Sequence, residues 1–182
     1  MNPADLRVQK TKLGLKMAFF ELLRSQSFEK VTVKSICSHA LVGKATFYHH
    51  YLDKYDFAEK ILDEEIQRFS VLFHERLQLG LTTDTQLALG EMAQKVLFLR
   101  RIRSSEIDVD QRIKQGITEV LLNELGPLDI MKQPQLTARY FSAVIFELLL
   151  AYAAGDYHQK LKEYRAILTD LGALTSYFVQ PL

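Results

Sequence analysis

Residues 31–57, from Val31 to Phe57, read VTVKSICSHALVGKATFYHHYLDKYDF, and the order of caps and apolar positions in this stretch decides the fold. Thr32 stands where a helix N-cap belongs. Val31 before it is placed to pack on Ile36, a hydrophobic staple over a helix from Val33 to Ala40. Leu41, Val42 and Gly43 then break the pattern. A second helix follows from about Lys44 to Tyr51, in which Phe47 and Tyr51 fall one turn apart and face the same core as Ile36 and Ala40. The opposite face carries Ala45, Tyr48 and His49, flanked by Lys44, Thr46 and His50. These are small, hydrogen-bonding and weakly basic side chains with no apolar duty, and such a face suits the major groove of DNA. Leu52, Asp53 and Phe57 repeat the arrangement of staple and cap, with Asp53 as N-cap and Asp56 at the third helical position. A long helix therefore begins at Lys54, with amide donors and a lysine at a tip that can receive a phosphate. Two short helices, a tight turn and the start of a third make a helix-turn-helix signature.

At these residues the chain resembles the TetR (tetracycline-repressor-type) family of transcriptional regulators. The ordered match runs through Thr32, Ile36, Ala40, Val42, Thr46, Phe47, Tyr48, His50, the aromatic Tyr51 and Lys54. The string Thr46-Phe47-Tyr48-x-His50-aromatic, followed by a capped lysine, is the specific part. Two positions depart from the pattern: Leu41 stands where the family often has a turn glycine, and Gly43 where it often has a capping serine. A glycine still caps, within a few tenths of a kcal/mol of serine, whereas a non-glycine in the turn implies either an ordinary backbone angle or mild strain. The resemblance implies an all-α protein, with an N-terminal three-helix DNA-binding domain over residues 1–53 and a C-terminal helical domain over residues 54–182 for dimerisation and effector binding.

With 182 residues and 48% apolar content the chain can bury a substantial core. The formal net charge of +1 hides an asymmetry. Residues 1–60 hold ten Lys or Arg against six Asp or Glu, while residues 61–182 hold thirteen against sixteen. A basic small domain joined to a mildly acidic one fits nucleic-acid binding through one end. The single cysteine, Cys37, excludes an internal disulfide framework and is expected to face the small core. No run approaches the roughly 18 apolar residues of a membrane span, and the opening MNPADLRVQK lacks the apolar core of a signal peptide. The expected location is cytoplasmic, with no membrane partner.

Nearly everything else reads as helix. From Ala4 to Ser25, Leu6, Leu13, Met17, Phe20 and Leu23 recur at helical spacing, with Arg7, Lys10, Lys12 and Lys16 off that face. The helix from Lys54 continues to about Leu79 on a stripe of Phe57, Ile61, Leu62, Phe69, Leu72 and Phe73. Helices over Gln86 to Arg103 and Val109 to Leu125 precede the firm break at Gly126-Pro127, and Pro134 suits the first turn of the next. Pro134 to Ala154 is apolar nearly all round in its second half, and His158 to Val179 carries Leu161, Tyr164, Leu168 and Leu171 at steps of three and four. Such a pair can dock on its symmetry mate, which predicts a homodimer through the two C-terminal helices; the alternative is that both complete the monomer's own core.

The five histidines show no spacing with cysteines or carboxylates that makes a metal site, and the scattered glycines form neither a dinucleotide fingerprint nor a phosphate loop. No catalytic constellation emerges, and no cofactor is expected. For double-stranded operator DNA the roles follow from side-chain chemistry: Thr32, Tyr48, His50 and Lys54 toward phosphates, Lys44, Ala45, Thr46 and His49 toward base edges. Arg7, Lys10 and Lys12 are candidates for a backbone-binding arm. A small-molecule effector has candidate lining residues in Arg139, Tyr140, Glu147, Tyr152, Phe98 and His74. The reading is a homodimeric DNA-binding regulator, a repressor type under effector control. The alternative is a protein-binding regulator on the same scaffold with weak DNA affinity, suggested by Leu41 and Gly43.

Overall fold

The computed structural model describes residues 3–79, 83–128 and 131–154, together with 166, 169, 170 and 172. Among the described residues there are seven α-helices and no strand: α1 Pro3–Ser25, α2 Val33–His39, α3 Lys44–His50, α4 Lys54–Leu79, α5 Thr83–Leu99, α6 Val109–Leu125 and α7 Pro134–Ala153. The expected all-α class holds. Short 3-10 turns at Phe28–Lys30 and Gly126–Leu128 follow α1 and α6. Most of the expected helix His158 to Val179 lies outside the described residues.

The local signals act as physical chemistry requires. Thr32 Oγ1 accepts from the Ser35 amide at 3.1 Å and Ser35 Oγ accepts from the Thr32 amide at 3.0 Å, a reciprocal capping box, while Val31 and Ile36 are both fully buried. α2 ends in a Schellman turn, in which the Val42 amide donates to Cys37 O and the Leu41 amide to Ser38 O. At α4, Asp53 Oδ1 accepts from the Tyr55 and Asp56 amides, so Asp53 is the expected N-cap. The expected staple at this helix does not form: Leu52 is 81% exposed, and Tyr51 packs on Phe57 instead, ring centroids 4.5 Å apart. The extended backbone after α3 turns Tyr51 inward and leaves Leu52 pointing away.

α1 also buries a different face from the one its spacing suggests. Leu15, Phe19, Leu22 and Leu23 are covered, whereas Leu13 and Met17 are each 57% exposed and Lys16 is buried. The helix has two overlapping apolar stripes, and the one that meets α2 and α4 wins. Phe19 lies edge-on to Phe28 and Phe57, and Phe47 packs on Phe57, which joins α1, α3 and α4 through rings. The first turns of α4 therefore complete the head.

α4 to α7 form the body. Gly116 of α6 lets that helix approach α4, since a Cβ there would lie 2.5 Å from Ile66 Cγ2. Thr118 Oγ1 donates to Ser142 Oγ between α6 and α7, and Gln94 Nε2 donates to Ala153 O between α5 and the end of α7. α7 is, by length and composition, apolar enough to cross a membrane, which corrects the expectation that no run reaches that size; Arg139 and Glu147 interrupt it without lowering its mean hydropathy below 1.4. Here it packs against α5 and α6, burying Ala138, Ser142, Phe146, Leu149 and Ala153.

Head and body meet along α1. Lys16 bridges to Glu64 and Glu65, Phe20 stacks edge-on against Phe98, and Arg101 Nε donates to Leu23 O at 2.9 Å, taking up a carbonyl at the end of α1.

Candidate nucleic-acid interface

The outward face of α3 is built by burying its other side. Phe47 is fully covered and Tyr51 nearly so, which fixes the helix rotation and leaves Lys44, Ala45, Thr46, Tyr48 and His49 exposed and His50 partly so. Tyr48 stands half exposed, its ring edge-on to Phe47. His49 and His50 lie edge to face at 5.1 Å. At the far end of α3, Lys60 Nζ donates to His50 O at 3.3 Å and to Asp56 Oδ2 at 2.9 Å, so a basic side chain satisfies a carbonyl at the helix C-terminus. Sequence reasoning missed Lys60, because nothing local ties a residue on α4 to a carbonyl ten positions earlier.

Burial, then the neighbouring His49 and Lys12, hold the His50 imidazole below its usual range, so it is mostly neutral at pH 7. Burial pushes the Tyr51 phenol up to about 12, helped by Glu64 and Asp56, so it stays neutral in the core of the head. The hydrogen bond from Lys60, then that from the Leu52 amide, holds the Asp56 carboxyl below its usual value.

Lys54 is placed differently from the sequence expectation. Its ammonium donates to Phe28 O, Glu29 O and Val31 O at 3.1–3.2 Å and lies over the rings of Phe28 and Tyr55. All three of its donors are thus directed inward, onto the turn that links α1 to α2. At the tip of α4 the Asp53 carboxylate takes the amides of Tyr55 and Asp56. Thr32 is exposed, but its hydroxyl is engaged with Ser35.

In the body, a cavity of about 320 Å³ lies between α4, α5, α6 and α7. Apolar side chains such as Leu62, Ile66, Ile113 and Leu149 line most of it, with Glu65, Arg68, Glu91 and Lys95 also on its wall. None of the six residues expected to line an effector cavity is among them. Arg139, Tyr140 and Glu147 are exposed on the outer side of α7, Phe98 is taken by Phe20, His74 pairs with Glu124 at 2.8 Å, and Tyr152 sits against Gly90. The polar residues that do line it lie on α4 and α5, where they read in sequence as an ordinary solvated face.

A head of three helices, with the second and third joined by a tight turn and the third presenting a polar face, defines a helix-turn-helix protein. Residues 18–61 match the family model for bacterial regulatory proteins of the tetR family, and the chain carries the N-terminal domain of that family. It is 28% identical over 158 residues to YxbF of Bacillus subtilis (strain 168), an uncharacterized HTH-type transcriptional regulator. That match covers 80% of this chain but only 40% of the length of YxbF. A proposed transcriptional regulator of Pseudomonas aeruginosa PAO1 superposes with a TM-score of 0.54 at 15% identity, covering 95% of this chain and 93% of that one, which establishes the shared fold. NalD, the secondary repressor of the MexAB-OprM multidrug efflux pump in Pseudomonas aeruginosa, is 15% identical with a TM-score of 0.48, covering 82% of this chain and 87% of NalD.

Proposed function

We propose that the chain is a DNA-binding transcriptional repressor that binds double-stranded operator DNA as a homodimer and is released by a small-molecule effector held in the body. The observation that carries this reading is the outward face of α3, where every side chain except Phe47 is at least partly accessible. Lys44, Ala45, Thr46 and His49 are the base-reading positions, and Tyr48, His50 and Thr32 meet phosphates. Lys54 acts as a positioning residue for the turn beneath this surface. Dimerisation uses the outer face of α7, where Leu136, Tyr140 and Phe141 are exposed, together with the segment that follows it. The function is regulatory rather than enzymatic, and its place is the cytoplasm.

The test is a mobility shift on the DNA flanking the protein's own gene at fixed salt. Tyr48→Ala should weaken binding across sequences, whereas Lys44→Ala should also change which sequence is preferred. If both folded variants bound the cognate site as wild type does, the assignment of α3 would fail. Two exposed leucines, Leu41 and Leu52, flank α3 and favour a second reading, a regulator that docks a protein through this face. No shift at low salt from a folded wild-type protein would select that reading.

A further inference from the structure

One ammonium at the end of the body cavity, that of Lys95, is covered without a hydrogen-bonded carboxylate. Three charged side chains there are the most thoroughly covered: Lys16 of α1, Glu65 of α4 and Lys95 of α5, with exposures of 11%, 12% and 31%. They are two ammoniums and one carboxylate. Lys16 Nζ directs its hydrogen bond to the half-exposed Glu64 at 2.7 Å; Glu65 Oε1 lies 2.8 Å from the same nitrogen but receives no directed bond. Lys95 Nζ is 3.9 Å from that oxygen, beyond hydrogen-bond reach, and its other close neighbour is the Phe20 ring at 4.0 Å. Among the described residues Lys95 has no hydrogen-bond acceptor. Arg68 stands at the edge of the group, 3.7 Å from Glu65 Oε2, and the exposed Glu91, one turn before Lys95, makes no ion pair with it among the described residues. Counting Glu64 and Glu91, three cations face three carboxylates, so what distinguishes the group is that Lys95 has no hydrogen-bonded acceptor.

A cationic ligand head at this end would be a fourth positive charge around Glu65, whereas a negative charge would give the Lys95 ammonium the acceptor it lacks, with the exposed Arg68 guanidinium beside it. We propose that the cavity binds a monoanionic amphiphile, its carboxylate between Lys95 and Arg68 and its hydrocarbon body along Ile66, Ile113, Ile117 and Leu149. This rests on the effector reading of the same cavity and adds the ligand's chemical class. Burial, the largest influence on Lys95, holds its ammonium below the usual lysine range despite the nearby Glu65. The position also explains how binding reaches the DNA-reading head. Lys16 and Phe20 belong to α1, which packs on α2, so neutralising this cluster alters the contacts that hold α1 to α4 and α5.

Calorimetric titration of the full chain with octanoate, octan-1-ol and octylamine tests the charge preference at constant chain length. Octanoate should bind, with the alcohol and the amine weaker by at least roughly ten-fold. Lys95→Met should weaken octanoate by a similar factor while leaving the alcohol unchanged, and Lys95→Arg should restore octanoate. Amine binding as tight as that of octanoate, a silent Lys95→Met, or no heat from any of the three at millimolar concentration would overturn the proposal. A mobility shift on the same samples keeps the two readings apart. Operator binding with no octanoate binding refutes the ligand class alone, and octanoate binding by a protein that never shifts DNA refutes the regulator.

Discussion

Leu41 is the strained residue of the head. It sits at φ 54°, in the left-handed region, with its side chain 94% exposed. An L-residue with a Cβ pays about 1–2 kcal/mol there, and no packing offsets it. Leu41→Gly should therefore stabilise the protein by about 0.5–1 kcal/mol, once the extra freedom glycine gains in the unfolded chain is subtracted. A denaturant midpoint that falls instead would show that the leucine makes a contact in the native state. His50 gives the pH signature of the interface. Its pKa in the free protein is lowered, so an adjacent phosphate that favours the imidazolium would make DNA binding take up a proton. Affinity should rise as pH falls from about 7.5 toward the usual histidine pKa of about 6.5, and His50→Gln should flatten that slope. A slope that survives the substitution would move the proton to His49 or elsewhere.

At the scale of elements, the helix-turn-helix is held by contacts that reach across the chain as well as by its own caps. Lys54 ties the start of α4 to the 3-10 turn between α1 and α2 through three carbonyls. Lys54→Met would leave those carbonyls without their donor and should cost about 1–3 kcal/mol, read as a lower melting temperature without DNA. Unchanged stability with weakened DNA binding would instead return Lys54 to the phosphate contact its sequence position suggests. The caps and breaks were legible because each depends on neighbours within one turn: Thr32 with Ser35, Asp53 with Asp56, and Pro134 opening α7. The buried face of α1 was not, since Leu13 and Met17 satisfy helical periodicity as well as Leu15 and Phe19 do.

At the scale of the whole molecule, the proposed dimer must hold two copies of α3 about 34–36 Å apart to enter successive major grooves. A charge on the exposed apolar face of α7, as in Tyr140→Glu or Phe141→Glu, would bury an unpaired carboxylate in a dimer interface at a cost of several kcal/mol, while a monomer would leave it in water. The variants should sediment as folded monomers and lose operator affinity with α3 untouched. Wild-type protein that sediments as a monomer at micromolar concentration, or a monomeric variant that binds operator at full affinity, would refute the arrangement.

The sequence by itself determined the helical class, the limits of α2, α3, α6 and α7, and the outward face of α3. Those features follow from spacing, caps and breakers that act over three or four residues. Tertiary structure alone decided which stripe of α1 is buried, where the Lys54 ammonium goes, that Lys60 closes α3, and that the polar wall of the cavity comes from α4 and α5 rather than from the aromatic and charged residues of α7. Each of these depends on a partner brought close by folding, as across the ten positions between Lys60 and His50 or the seventy-eight between Arg101 and Leu23, and the periodicity of one helix carries no information about its neighbour.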